Sequence, residues 1–272
     1  MKKIIVGTDF SENGNHAVNY AARLARDLHL PLTLVCGFQM PVVSSMDAPM
    51  SAVSVHEIRH AYQENLNELL DETKKQFPGI TCEALLDFGS GWEVLSKQAD
   101  ADDLIVTGES GTGSRMGIIL GSTPRELIRN AHKNVLVVPL ETAYKPLVTI
   151  ALAVDLKKEV SLDKFNLLKD VAKNFSANIS IITILDREHP LDVNKAIQGL
   201  SVNNVFSDIQ HTFHLPEDDN IASGIADFCR NHQMELLALM PGEHHFFERL
   251  LGKSITAEVL SIAKLPVLCI PS

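Results

Sequence analysis

Apolar residues fall in two patterns along this chain: short unbroken runs, and longer stretches in which they recur at every third or fourth position. Ile4-Ile-Val, Leu32-Thr-Leu-Val-Cys36, Leu104-Ile-Val and Val135-Leu-Val-Val138 are runs of the first kind, as expected of strands covered on both faces. Ala17, Val18, Ala21, Ala22, Ala25 and Leu28 fall on one face of a helix that Ser11 can cap, and Ile58, Tyr62, Leu66, Leu69 and Leu70 line a second helix that opens with a capping box of Ser54 and Glu57. Met40 to Val53, with two prolines and several serines, reads as a loop. A strand over 81–86, a helix over 92–99 and another over 124–131 complete the order β-α-β-α-β-α-β-α-β. Such alternation predicts a parallel, doubly wound sheet, because each crossover needs a helix to return the chain to the same edge.

The pattern is then repeated. Asp103 to Pro139 pairs without a gap with Glu235 to Pro271, 132 positions later: Leu104-Ile-Val with Leu236-Leu-Ala, Ser122 with Ser254, and Val135-Leu-Val-Val-Pro139 with Val267-Leu-Cys-Ile-Pro271. The starts pair as well, Ile4 to Asp9 with Ile150 to Asp155. The fold class predicted is therefore α/β, with two tandem doubly wound five-stranded parallel-sheet domains, 1–141 and 146–272, and a seam at Leu140 to Pro146. The second copy shows a first helix bearing Val160, Leu162, Phe165, Leu168, Val171 and Ala172, a second strand over 179–185, and only a short helix around 192–199.

Composition narrows the classes of partner. The 272 residues carry a formal charge of -10, which opposes sequence-independent binding to nucleic acid, since that relies on clustered cations. No apolar run approaches the roughly 18–20 residues that span a bilayer, and Met1-Lys-Lys leads straight into a strand, so a cytoplasmic protein without membrane contact is expected. The four cysteines form no C-x-x-C pair and sit in or beside apolar segments, which fits small core residues in a reducing compartment.

The most specific chemistry lies in Gly108-Glu-Ser-Gly111-Thr-Gly-Ser-Arg115-Met-Gly-Ile-Ile-Leu-Gly121-Ser122, between a strand and a helix. Glycines there let main-chain amides approach an anion at the helix N-terminus. The spacing G-2x-G-9x-G-(S/T), the aspartate closing the first strand and the terminal Val-Leu-Val-Val-Pro together resemble the universal stress protein family, and the two-copy layout resembles its tandem members. The likeness is strong over 1–141 and weaker over 146–272.

That resemblance implies a Rossmann-like, ATP-binding regulator of stress responses. By position, Gly7, Thr8 and Asp9 would border the adenosine and the backbone near Gly37 the adenine edge. Gly108, Gly111, Gly121 and Ser122 would hold the phosphates, with Thr123 assisting and Arg115 pairing with the terminal phosphates. The cofactor implied is ATP, with or without Mg²⁺. The resemblance also implies that the closing strands 135–138 and 267–270 pair within one molecule as an intramolecular pseudo-dimer, leaving a further homodimer open.

The gapless pairing replaces Gly108 by Met240, Gly111 by Glu243 and Gly121 by Lys253, so the second copy is expected not to bind ATP in the ordinary way. His211, His214, His244 and His245, with Glu243, suggest a zinc site, but adjacent histidines share one ion poorly and solvated loop histidines explain them more simply. A nucleotide-dependent regulator is favoured over a slow ATPase using Asp9 or Glu109, because no phosphate-loop lysine and no convincing general base accompany the glycines. A nucleotide-free interaction module is the third reading. Trp92 at the cleft's edge is set against simple packing, and an adaptable lid or partner surface of Met40, Met46 and Met50 against plain disorder.

Overall fold

A computed structural model of the chain describes residues 1–40, 55–110, 120–130, 132–156, 162–185, 193–240 and 255–271. The first half runs β1 (Ile4–Gly7), α1 (Glu12–Leu28), β2 (Leu32–Phe38), α2 (Val55–Gln76), β3 (Cys82–Phe88), α3 (Gly91–Gln98), β4 (Leu104–Gly108), α4 (Ser122–Asn130) and β5 (Asn134–Val138). The second runs β6 (Thr149–Ala153), a 3-10 turn (Leu162–Phe165), α5 (Asn166–Phe175), β7 (Asn178–Ile182), α6 (Val193–Val205), β8 (His211–His214), α7 (Ile221–Asn231), β9 (Leu236–Leu239), α8 (Ile255–Ile262) and β10 (Val267–Cys269).

All ten strands form one sheet in the order β3-β2-β1-β4-β5-β10-β9-β6-β7-β8. Each half is parallel within itself, and the halves meet through an antiparallel pair in which Val267, Leu268 and Cys269 face Val137, Leu136 and Val135. That join covers two edges that would otherwise be exposed. Apolar side chains alternate to either face along the junction: Leu136, Val138, Leu268 and Ile270 pack with α1, α2, α5 and α6, while Val135, Val137, Val267 and Cys269 pack with α3, α4, α7 and α8. Two cores therefore run across the seam, one on each side of the sheet.

The connection between the halves is fastened to both. The Tyr144 hydroxyl donates to Asp27 at 2.6 Å and the Tyr144 ring meets Tyr20 edge-on at 5.0 Å. The Glu235 carboxylate accepts from the amides of Val148 and Thr149 at 2.7 and 2.9 Å. The four cysteines are buried and unpaired, and burial pushes the Cys229 and Cys269 thiols up to about 12.

Several boundaries differ from the sequence reading. β1 stops at Gly7, which leaves Asp9 beyond the sheet in the turn before α1, and α4 begins at Ser122 rather than two residues later. In the second half the strand expected over 179–185 ends at Ile182, with only an isolated bridge from Leu185 to Glu217 beyond it. The helix expected over 192–199 runs on to Val205, through Gly199. A Cβ at Gly199 would meet nothing closer than 3.6 Å, so that glycine is a weak helix former in an uncrowded place and does not stop the helix. The proposed Ser54 cap lies outside the described residues.

A crevice at the end of the first parallel sheet

The sheet order places a switch point between β1 and β4, where neighbouring crossovers leave in opposite directions and a crevice opens beyond the strand ends. Main-chain direction shows what faces it. In β2, Val35 accepts from the Thr8 amide at 3.0 Å on the β1 side, whereas Phe38 accepts from Gly89 at 3.0 Å on the β3 side. Gly37 shares the orientation of Val35, and β1 stops pairing at Gly7. The N–H and C=O of Gly37 thus project past the end of β1, a donor and an acceptor side by side.

The crevice holds about 330 Å³ and lies on the α3 and α4 side of the sheet. Val35 and Leu95 give it apolar walls, Gly7 and Gly37 its floor, Thr8, Asp9, Gly14 and Thr107 its inner end, and Gly108, Ser110, Gly121, Ser122, Thr123, Pro124 and Arg125 its outer end. Gly37 is glycine because a Cβ there would stand 2.9 Å from the Gly89 carbonyl and 3.1 Å from the Gly91 amide, the turn that leads into α3. That turn is fixed by Glu93, whose carboxylate accepts from the Ser90 amide and hydroxyl at 3.0 and 2.5 Å. Those two bonds hold the Glu93 carboxyl below its ordinary pKa.

At the outer end the loop after β4 is pinned at its base. The Gly121 amide donates to the Glu109 carbonyl at 2.7 Å, and a Cβ at Gly121 would come within 3.0 Å of Ser110 Cα. A Cβ at Gly108 would stand 2.8 Å from the Asn13 carbonyl, so that glycine admits the first turn of α1 against β4. Asn13 Nδ2 donates to Ser110 Oγ at 2.9 Å, which ties the same turn to the loop. The main-chain amides that open α4 then face the crevice with the hydroxyls of Ser122 and Thr123, a donor-rich end suited to an anion.

Asp9 sits at the inner end with one carboxylate oxygen, Oδ1, accepting from the Ser11 amide at 3.1 Å and the Ser11 hydroxyl at 2.5 Å. Ser11 in turn accepts from Gly14, at 3.1 Å, as the cap of α1. Gly14 lets the carboxylate lie against the helix, since a Cβ would meet Asp9 Oδ1 at 2.9 Å. Burial, with the Asp9 charge beside it, pushes the Cys36 thiol up to about 12, so the thiol stays protonated under the floor. Glu109 is directed elsewhere and accepts from the Leu140 amide at 3.3 Å.

Of the residues singled out from sequence, Gly7, Thr8, Asp9, Gly37, Gly108, Gly121, Ser122 and Thr123 all line this crevice, while Gly111 and Arg115 fall outside the described residues. Sequence reasoning missed Gly14, Val35, Gly91, Leu95, Ser110 and Arg125, which also line it. The short spacing from Asp9 to Gly14, across a helix start, was a usable signal for the first of these. Trp92 packs into the core of the α3 side and is not among the lining residues. Met40 is partly exposed, and Met46 and Met50 lie outside the described residues.

The second half offers the same backbone with different contents. Strand registers equate Gly7 with Ala153, Thr8 with Val154, Gly37 with Ile184 and Gly108 with Met240. The Ile184 side chain reaches α7, with Cδ1 3.1 Å from where a Cβ on Gly224 would stand. It therefore occupies the place where, in the first half, the α3 turn closes against Gly37. The histidines are engaged separately: His211 bonds to the Ile209 carbonyl at 2.8 Å and the Asn203 amide group at 2.9 Å, and His214 to the Thr212 hydroxyl at 3.0 Å. Among the described residues no group of three His, Cys, Asp or Glu side chains is placed to hold a metal ion; His244 and His245 lie outside them. No described helix is long and apolar enough to cross a membrane.

Comparison with known proteins bears on the same region. The model of the universal stress protein family matches residues 1–139. A universal stress protein of Mycolicibacterium smegmatis is 28% identical over 142 residues, covering 50% of this chain and 47% of its own length. A Staphylococcus haemolyticus protein named for the same family is 27% identical over 143 residues, covering 52% of this chain and 86% of its own. The chain thus spans about half the length of the mycobacterial relative. Among solved structures, a universal stress protein from Archaeoglobus fulgidus superposes with a TM-score of 0.74 at 17% identity, covering 98% of both chains, so the fold is shared across both halves.

Proposed function

Because this chain belongs to the universal stress protein family, we propose that its first half is an adenine-nucleotide sensor whose occupancy by ATP sets a conformation or partner contact, and that its second half takes no nucleotide. The observation that carries this reading is the pairing, in one crevice, of a main-chain donor and acceptor at Gly37 with a helix start whose donors come from Ser122 and Thr123. A flat heterocycle seated against the apolar lining of Val35 and Leu95 would meet the Gly37 amide and carbonyl with its edge, as small-ligand sites commonly combine shape with a few fixed polar groups. Asp9 would accept from sugar hydroxyls, and the α4 amides would face phosphate.

ATP fits the outer end by charge, where Arg125 and the start of α4 would face its phosphates. Mg²⁺, where present, would arrive on the phosphates and neutralise part of their charge. No described carboxylate at the phosphate end is placed to activate water, because Glu109 is held by Leu140, so binding is favoured over turnover.

Mass spectrometry of small molecules released from freshly purified protein, followed by calorimetry with ATP, tests the reading. One nucleotide per chain is expected. Two per chain would refute the silent second half, and none at millimolar ATP would refute the sensor.

A further inference from the structure

Two charged side chains stand among the described residues that line the crevice, Asp9 at its inner end and Arg125 at its outer end. Arg125 occupies the first turn of α4 and is exposed. Its Nη2 donates to the Leu120 carbonyl at 2.8 Å, which ties the guanidinium to the chain just before Gly121. One N–H is committed to that bond, and a guanidinium has four more in a fixed plane. The neighbouring acid does not neutralise it: Glu126 accepts from Asn130 at 2.8 Å, one turn further along the helix. In the second half the sequence places Ala257 at the corresponding position.

We infer that Arg125 makes the crevice read the charge of its ligand's phosphate end, so that a nucleoside triphosphate is preferred over the bare nucleoside. The inference rests on the nucleotide reading above and adds a selectivity to it. With an acid at the sugar end and a cation at the loop end, only one orientation of the ligand brings opposite charges together. An ion-assisted bond between the guanidinium and phosphate oxygens is stronger than the neutral bonds supplied by the α4 amides. The Leu120 tether lowers the entropy lost when the side chain is held on the ligand.

Calorimetry of the full chain with ATP, ADP, AMP and adenosine, on the wild type, Arg125→Gln and Arg125→Lys, tests this. The Gln variant should bind ATP about 10-fold or more weakly, with a smaller loss for ADP and none for adenosine, and the Lys variant should recover part of the ATP affinity. Adenosine reports directly on an intact crevice, so a fold lost through the missing tether would be seen as loss of both ligands, and the Lys variant then decides. A Gln variant that binds ATP as tightly as the wild type overturns the role of Arg125 while leaving the nucleotide reading in place. A wild type that takes neither ATP nor adenosine overturns both.

Discussion

Gly37 in the first half and Ile184 in the second hold one register position in two copies of the same fold. Around Gly37 the α3 turn comes close enough that a Cβ would collide with main chain. Around Ile184 the contact is reversed, because Gly224 on α7 makes room for the side chain. A second exchange accompanies it: Gly89, which adopts φ +147 beside Val94, corresponds to Asp218 beside Gly224. The second half therefore places a side chain where the first half brings in the α3 turn. The architecture is common to both copies, and the contacts at this position differ.

The largest effect is expected where the first half receives the second half's residue. Gly37→Ile is expected to weaken ATP binding about 100-fold or more, which corresponds to about 2.7 kcal/mol, and calorimetry beside a thermal melt separates a lost crevice from a lost fold. The reciprocal Ile184→Gly should create no ATP site, since Met240 still stands at the Gly108 position. Detectable binding by that variant would mean that Ile184 alone keeps the second half silent.

A smaller effect is expected at the helix caps. Ser11 caps α1 and Asn220 caps α7, each side chain accepting from the amide three residues on, at 3.1 and 2.9 Å. Replacing either by Ala should cost about 1 kcal/mol in urea unfolding. Only Ser11→Ala should also weaken nucleotide binding, because Ser11 holds the Asp9 carboxylate as well. Equal binding by the two variants would remove Asp9 from the ligand's surroundings.

The smallest effect lies wholly in the second half. His214 packs against Phe228 at 4.9 Å and His232 at 5.7 Å between ring centres, and burial, with the neighbouring His232 charge, lowers its pKa from the ordinary 6.5. The folded state then resists protonation more than the unfolded chain does, so its contribution is present above pH about 6.5 and is lost as pH falls through the folded value. His214→Gln should flatten the fall in urea midpoint between pH 7.5 and 5.5 by a small amount, with nucleotide binding unmoved. A wild-type midpoint that rises on acidification would reverse the sign assigned to this group.

Much of the fold was legible because the strands are continuous apolar runs and the two copies pair without a gap over their closing segments. The join of β5 with β10 was also expected, through the family resemblance. The Gly37 and Ile184 equivalence was not legible, because β7 starts one residue later relative to β6 than β2 does relative to β1, and only paired strands reveal such a slip. Arg125 was overlooked because nothing in sequence distinguishes a cation tied at a helix start from any other surface cation. The full length of α6 was hidden by Gly199 and by a weak apolar period.

The antiparallel meeting of β5 and β10 has a directional consequence. Every strand of the first half runs opposite to every strand of the second, so the carboxyl ends of the two sets lie on opposite rims of the common sheet. The first crevice's mouth therefore lies on the rim away from the carboxyl ends of the second half's strands. The two rims are joined through the shared middle strands and the cores packed against them.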